Sequence, residues 1–164
     1  MPPRQFHYCP ICATPLQKKI VLGEERLACP SCGWVHYEDP KVAAGVLIIE
    51  AEKALLVKRV MEPFTGLWSI PAGFVNAFED PARAAERECR EETGLIAQVD
   101  RLYLMETGRE HPRGADILLI YSASIRGGEL HAADDAADAG WFSLDALPPL
   151  AFASTQRLFT QISH

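Results

Sequence analysis

Apolar residues along the chain fall into short strand-length runs, broken by turn formers and interrupted by two stretches of helical spacing. VAAGVLIIE over Val42 to Glu50 and ALLVKR over Ala54 to Arg59 read as two strands, and the charged Glu50-Ala51-Glu52-Lys53 between them reads as a turn. Leu67-Trp68-Ser69-Ile70 predicts a short strand stopped by Pro71 and Gly73. Asp80 followed by Pro81 has the chemistry of an N-cap with proline at the first helical position. Gly94 has that of the left-handed residue that ends a helix, so a helix is predicted from Pro81 to about Thr93. Ala97 to Thr107 and Asp116 to Ile125 predict further strands, the second bounded by Gly127-Gly128, and Gly140 to Phe142 a last short one. Ser143 to Leu147 predicts a short helical turn ended by Pro148-Pro149, and Phe152 to Ile162 a C-terminal helix. Strands before and after a central helix, with a helix at the end, predict an α+β fold in which a mixed sheet is covered by helices.

The first 39 residues obey a different pattern. They carry Cys9-Pro-Ile-Cys12 and Cys29-Pro-Ser-Cys32, with sixteen residues between the pairs, and end at Asp39-Pro40, where proline favours an extended turn. Each pair offers two thiolates from one tight turn, and two such turns complete a tetrahedron around Zn²⁺. Four thiolates leave no position for water or substrate, so the expected ion is structural. It supplies stability that a segment this small cannot draw from a core. Residues 1–39 are therefore expected to form a zinc ribbon and residues 40–164 a second domain. His7 and His36 lie near the cysteines, but the ligand set is already complete.

Composition sharpens this picture. With 48% hydrophobic and 23% charged residues among 164, the chain is ordinary for a globular protein and long enough to bury a core without disulfides. No run approaches the length of a membrane span, and MPPRQFHYCP lacks a signal-peptide apolar region, so no membrane partner and a cytoplasmic location are expected. The net charge of −6 argues against nucleic acid as the main partner and favours a site in which divalent cations stand between protein and phosphate. In the ribbon, Lys18, Lys19 and Arg26 are balanced by Glu24, Glu25, Glu38 and Asp39, which favours packing, substrate capping or formation of a homodimer over nucleic-acid contact.

The chemistry concentrates in the predicted helix. Glu88, Glu91 and Glu92 stand at i, i+3 and i+4, so their carboxylates share one face, where like charges repel. A solvated, salt-bridged helix face is the common reason for such a run; a bound cation is the alternative. An all-oxygen set suits Mg²⁺ or Mn²⁺.

The flanks decide between these readings. From Gly73 through Glu79 to Arg87-Glu88-Cys89-Arg90-Glu91-Glu92-Thr93-Gly94-Leu95, the chain resembles the Nudix box, Gly-x₅-Glu-x₇-Arg-Glu-U-x-Glu-Glu-x-Gly-U, where U is a bulky aliphatic residue. All seven fixed positions match: Gly73, Glu79, Arg87, Glu88, Glu91, Glu92 and Gly94. With residue frequencies near ~7%, a chance match is on the order of 10⁻⁶. Cys89 replaces the first aliphatic, a tolerable change for a small buried hydrophobe. The approach Gly66 to Gly73 and the stretch Trp141 to Pro148 also resemble the family, so the likeness covers about Val42 to the end.

The resemblance implies a Nudix α/β/α sandwich and an Mg²⁺-dependent pyrophosphohydrolase that cleaves a nucleoside diphosphate linked to another moiety. It implies Glu88 and Glu92 as main metal ligands, Glu91 as a ligand or a ligand's partner, and the carbonyl of Ala72 as a further ligand. Arg87 and Glu79 would pair and, with Gly73 and Gly94, support the box. The base that activates water would be Glu88 or an acid in the loop Asp134-Asp135-Ala136-Ala137-Asp138, with Asp135 in the position where relatives carry an acid. Glu88, Glu91, Glu92, Arg87 and Asp135 are thus the catalytic candidates. A ribbon ahead of such a domain resembles NADH pyrophosphatases and a smaller group acting on FAD or ADP-ribose. The proline-rich signature of the first group is missing, since the only prolines after Leu95 are Pro112, Pro148 and Pro149. The second group is matched at Asp39-Pro40-Lys41 and Leu150 to Ser154, so ADP-ribose or FAD is the expected substrate. NADH, nucleoside triphosphates or dinucleoside polyphosphates, and a non-catalytic ADP-ribose-sensing module are the alternatives. Phe64, Tyr103 and Phe74 are candidates for stacking a base, although each is expected in the core.

Overall fold

A computed structural model describes residues 6–112 and 114–162, and the chain folds as two compact units, Met1–Asp39 and Pro40–His164.

In the first unit, β1 (Gln17–Val21) and β2 (Glu24–Ala28) pair antiparallel. The hairpin turns through Leu22 and Gly23, both at positive φ, as a two-residue turn that matches strand twist requires. No apolar alternation in these exposed strands announces the hairpin. The cysteine pairs lie on two tight turns closed by Ala13 N–H donating to the Cys9 carbonyl at 2.9 Å and Gly33 N–H to the Cys29 carbonyl at 3.2 Å. His36 stacks beside Phe6 and Trp34, away from any ligand role.

In the second unit, β3 (Val42–Leu47), β7 (Ala72–Phe74), β8 (Leu95–Thr107) and β9 (Ile117–Gly128) form a mixed sheet ordered β7-β3-β9-β8, with β3 parallel to β9. A second sheet is ordered β10 (Ala136–Ser143), β5 (Lys53–Arg59), β4 (Ile49–Glu50), with β6 (Trp68–Ser69) also on β5. The two helices are α1 (Pro81–Thr93) and α2 (Ala153–Ile162). Strand alternation divides the core. Ala44, Val46 and Leu55 pack with Ala84, Ala85 and Cys89 of α1, whereas Leu47, Ala54 and Leu56 pack with Leu158 and Phe159 of α2. This gives the α+β fold with a mixed sheet that the sequence predicts.

Three local expectations change. The run from Val42 to Glu50 breaks at Ile48 into two strands. Ser143 to Leu147 is a turn, closed by Ala146 N–H on the Ser143 carbonyl at 3.0 Å, with no helix. The last strand starts at Ala136, because it pairs with β5 along its length; Ala136, Ala137 and Asp138 therefore belong to the strand and only Asp134 and Asp135 to the loop. No helix among the described residues is long and apolar enough to cross a membrane.

Candidate active site

Helix α1 begins where its sequence dictates. Asp80 Oδ1 accepts from the N–H groups of Ala82 at 2.9 Å and Arg83 at 3.2 Å, Pro81 opens the first turn, and Gly94 ends the helix at φ 69° with its N–H on the Arg90 carbonyl. A side chain at Gly94 would also strike the His131 ring. Cys89 is fully buried on the inward face. Arg87, Glu88 and Glu91 project from other positions around the helix, whereas Glu92 is itself buried.

Arg87 is the hub of one half of the site. Its Nε and Nη2 donate to the two carboxylate oxygens of Glu79, at 2.7 and 3.0 Å, and Nη2 also reaches the Phe74 carbonyl at 3.1 Å. Its Nη1 donates to Glu88 at 2.6 Å and Glu91 at 2.8 Å. Arg87 holds the Glu79 carboxyl down at about 2, helped by the Asn76 N–H, and its own pKa rises in response. The segment before the helix is thereby tied to the helix by a forked, charge-assisted pair.

Glu92 occupies the other half and differs from its neighbours. Only 6% of it is exposed, and its Oε2 accepts from the Ala72 N–H at 3.0 Å. Burial pushes its carboxyl up to about 9, with Asp135 and Glu88 adding to the rise and the Ala72 N–H opposing it. Burial likewise raises Glu88, against the lowering influence of Arg87. Gly73 lies against Glu88 so closely that an added Cβ would stand 2.1 to 2.3 Å from the carboxylate atoms. The box glycine is a cradle for that carboxylate.

Asp135 reaches this cluster through the end of α1. The last carbonyls of a helix lack internal partners; here the N–H groups of His131 and Ala133 donate to the Thr93 and Glu92 carbonyls at 3.0 and 3.2 Å. The chain then turns so that Asp135 comes close to Glu92 and Glu88, and its charge helps to raise both carboxyls. Glu88, Glu92, Asp135, Ala72 and Gly73 are thus brought together. Glu91 is more exposed and turns to Arg87.

A cleft of about 320 Å³ opens beside them. Asp135, Ala72, Gly73 and Phe74 line it, and so do Arg59, Ser69, Phe152 and Thr155. Phe74 and Tyr103 are exposed rather than in the core, and Phe74 lines the cleft; Phe64 packs edge-on against Phe152. The loop between β8 and β9 also lines the cleft. Its Glu110 carboxylate accepts from the first N–H groups of α2, Ala153 at 2.7 Å and Ser154 at 2.9 Å. Sequence reasoning passed over Arg59, Glu110 and Thr155; an arginine closing a buried strand was the available signal for the first, and none marked the others.

The box residues fit a divalent cation. The donors are all oxygens, and Arg87 is the one cation paired with Glu79, Glu88 and Glu91, while Glu92 and Asp135 have no cationic partner among the described residues. The cysteine sulfurs fit a different ion. All four lie within 4.8 Å of one another, with Cys9 to Cys32 and Cys12 to Cys29 both at 3.5 Å. Tetrahedral Zn²⁺ with ordinary bond lengths separates its sulfurs by about 3.8 Å. The set therefore suits a closed, structural zinc site.

Comparison with known proteins defines the class. Residues 39–161 match the NUDIX domain family and residues 7–38 the family described as Nudix N-terminal, a zinc ribbon. The chain belongs to the Nudix hydrolase family. It is 42% identical over 117 residues to the ADP-ribose pyrophosphatase of Methanocaldococcus jannaschii, covering 71% of this chain and 69% of that one. It is 31% identical over 147 residues to the NAD-capped RNA hydrolase NudC of Stutzerimonas stutzeri, covering 89% of this chain and 51% of that one, so the chain spans about half the length of that relative. A NUDIX hydrolase structure from Nitrosomonas europaea superposes with a TM-score of 0.84 at 25% identity, covering 97% of this chain and 93% of that one.

Proposed function

We propose that this chain hydrolyses the diphosphate of a nucleoside diphosphate joined to a second moiety, with ADP-ribose as the leading substrate and FAD next. The observation that carries the reading is the meeting of Glu88 and Glu92 with Asp135, which lines an open cleft together with Ala72 and Gly73. The 42% identity to an ADP-ribose pyrophosphatase supports the choice of substrate.

Glu88 and Glu92, with the carbonyl of Ala72 and with Glu91 beside them, would hold Mg²⁺ or Mn²⁺. When bound, the ion offsets the charge of the diphosphate and acidifies the attacking water. Arg87 orients Glu88 by a 2.6 Å hydrogen bond, and the Ala72 N–H orients Glu92. Asp135, from the far side of the cluster, would take the water's proton on a carboxylate oxygen, with Glu88 as the competing base. Cys9, Cys12, Cys29 and Cys32 would hold structural Zn²⁺.

A panel of ADP-ribose, FAD, NADH, nucleoside triphosphates and dinucleoside polyphosphates, each with Mg²⁺ and with Mn²⁺, tests the reading. Fastest turnover of ADP-ribose or FAD supports it. A second reading, cleavage of NADH or an NAD-capped RNA end, draws on the 31% identity to a NAD-capped RNA hydrolase over 89% of this chain, and preference for those substrates would favour it. Binding of ADP-ribose without hydrolysis of any panel member would instead point to a sensing module.

A further inference from the structure

The four sulfurs of the ribbon are not equivalent. In each Cys-x₂-Cys turn the first residue is buried and the second exposed: Cys9 and Cys29 show only 3% and 4% of their surface, whereas Cys12 and Cys32 lie open to solvent. The close sulfur pairs do not follow the turns. Cys9 hydrogen-bonds Cys32 and Cys12 hydrogen-bonds Cys29, each at 3.5 Å, so every exposed sulfur has a buried one from the other turn against it. Cys89, by contrast, is fully buried in the second unit beside Thr93 of its own helix.

A site with no room for water as a ligand can still meet an electrophile at its sulfurs, and oxidation follows thiolate character and exposure. An oxidant arriving from solvent reaches Cys12 or Cys32 first. Disulfide sulfurs stand about 2.0 Å apart, so each cross-turn pair closes by an approach of about 1.5 Å from its present 3.5 Å.

We infer that the cysteine cluster is an oxidation site for hydroperoxides, in which Cys12 and Cys32 are attacked and Cys29 and Cys9 resolve them as cross-turn disulfides. In the first step the Cys12 thiolate attacks a peroxide oxygen: the S–O bond forms, the O–O bond breaks and hydroxide leaves, which oxidises the sulfur to a sulfenic acid. In the second the Cys29 thiolate attacks the Cys12 sulfur: the S–S bond forms, the S–O bond breaks and a second hydroxide leaves. Two thiolates and one hydrogen peroxide thus give one disulfide and two hydroxides. Cys32 and Cys9 repeat the sequence. Each disulfide removes two of the four thiolates that a tetrahedral zinc site needs, so oxidation discharges the metal.

The direction of pairing has a consequence for the fold. Disulfides within the turns, Cys9–Cys12 and Cys29–Cys32, would free the metal and let the two turns part. Cross-turn disulfides join the same two turns that the metal joins, and constrain the unfolded chain as well. The ribbon therefore gives up its ion to an oxidant and keeps its structure, whereas a chelator, which leaves four reduced sulfurs, costs it both. This behaviour belongs to the ribbon alone and holds whatever nucleotide the second unit cleaves.

The test uses the full chain with its zinc. Hydrogen peroxide is added, zinc is followed with a chromogenic indicator, free thiols are alkylated under denaturing conditions, and disulfides are mapped by mass spectrometry without reduction. The expected result is release of about one zinc per chain, Cys9–Cys32 and Cys12–Cys29 as the main disulfides, and Cys89 recovered as a free thiol. Amide exchange in β1 and β2 should be about tenfold or more slower in the oxidised chain than in chain stripped by a chelator. A thiol reductant with Zn²⁺ should restore the starting state. In Cys12→Ser, Cys9–Cys32 should still form while Cys29 stays a thiol. Disulfides confined to Cys9–Cys12 and Cys29–Cys32 would overturn the inference, as would zinc retained under excess peroxide, sulfinic acids without disulfides, or exchange as fast as in the stripped chain. Should the purified chain hold no zinc, the closed-site reading fails and the disulfide map alone decides the pairing.

Discussion

Arg87 and Glu79 are joined by two parallel hydrogen bonds, Nε to Oε1 at 2.7 Å and Nη2 to Oε2 at 3.0 Å, across eight residues of sequence. The same guanidinium then reaches Glu88 and Glu91. One cation thus fixes the approach to helix α1 and aims a carboxylate of the candidate site, so that loop and helix move as one body.

That linkage gives a pH signature. Glu79 falls from the ordinary 4.5 to about 2 in the folded chain, chiefly through its hydrogen bonds from Arg87. A carboxyl lowered on folding stabilises the native state above its unfolded value, and the contribution is lost as pH falls through the folded one. Stability should therefore decline between pH 4.5 and about 2, and Glu79→Gln should flatten that decline. Denaturant midpoints measured across this range check it; identical slopes in parent and variant would refute it.

Glu92→Gln should reduce turnover at least about a hundredfold, because the amide keeps the shape but not the charge needed to hold a cation. The fold should survive, since the amide oxygen can still accept from the Ala72 N–H. Initial rates with Mg²⁺ and a thermal melt provide the measurement, and near-normal turnover would remove Glu92 from the metal site.

Gly73→Ala places a methyl where the Glu88 carboxylate now lies. Either that side chain or the strand must shift, so the Mg²⁺ concentration for half-maximal rate should rise about tenfold or more. A titration of rate against Mg²⁺ reports this, and an unchanged curve would mean that Glu88 does not need its present pose.

For the cysteine cluster, elemental analysis should find one zinc per chain, and Cys12→Ser or Cys29→Ser should lower that content. Amide exchange in β1 and β2 should then quicken, while exchange in α1 stays as it was, because that helix packs on its own core. Full zinc content in both variants would count against the four-sulfur site.

The parts of this molecule legible in the sequence are those in which local chemistry and tertiary need coincide. Asp80, Pro81 and Gly94 bound α1 as their side chains and backbone freedom require. The cysteine pairs, set apart by sixteen residues, converge as their spacing implies. The hairpin β1–β2 was not legible, because its exposed strands bury no alternating face and take their form from the turn at Leu22 and Gly23. The early start of β10 was hidden for a related reason: Ala136 to Asp138 read as an acidic loop, and only pairing with β5 makes them a strand. In the site, the glutamates were visible through helical periodicity. Burial separates Glu92 from Glu91, and that depends on Ala72 and Asp135 arriving from other elements. Arg59, Ser69 and Thr155 come from three separate segments, and no spacing rule joins them.

Glu110 caps helix α2 from 43 residues earlier in the chain, its carboxylate holding the N–H groups of Ala153 and Ser154. The loop between β8 and β9 and the C-terminal helix are consequently one structural unit. A chimera that imports α2 from a relative with a different loop leaves a helix end bare, and one that imports the loop alone leaves the native helix without its acid. Recombination that aims to change what the cleft accepts must carry both segments across together.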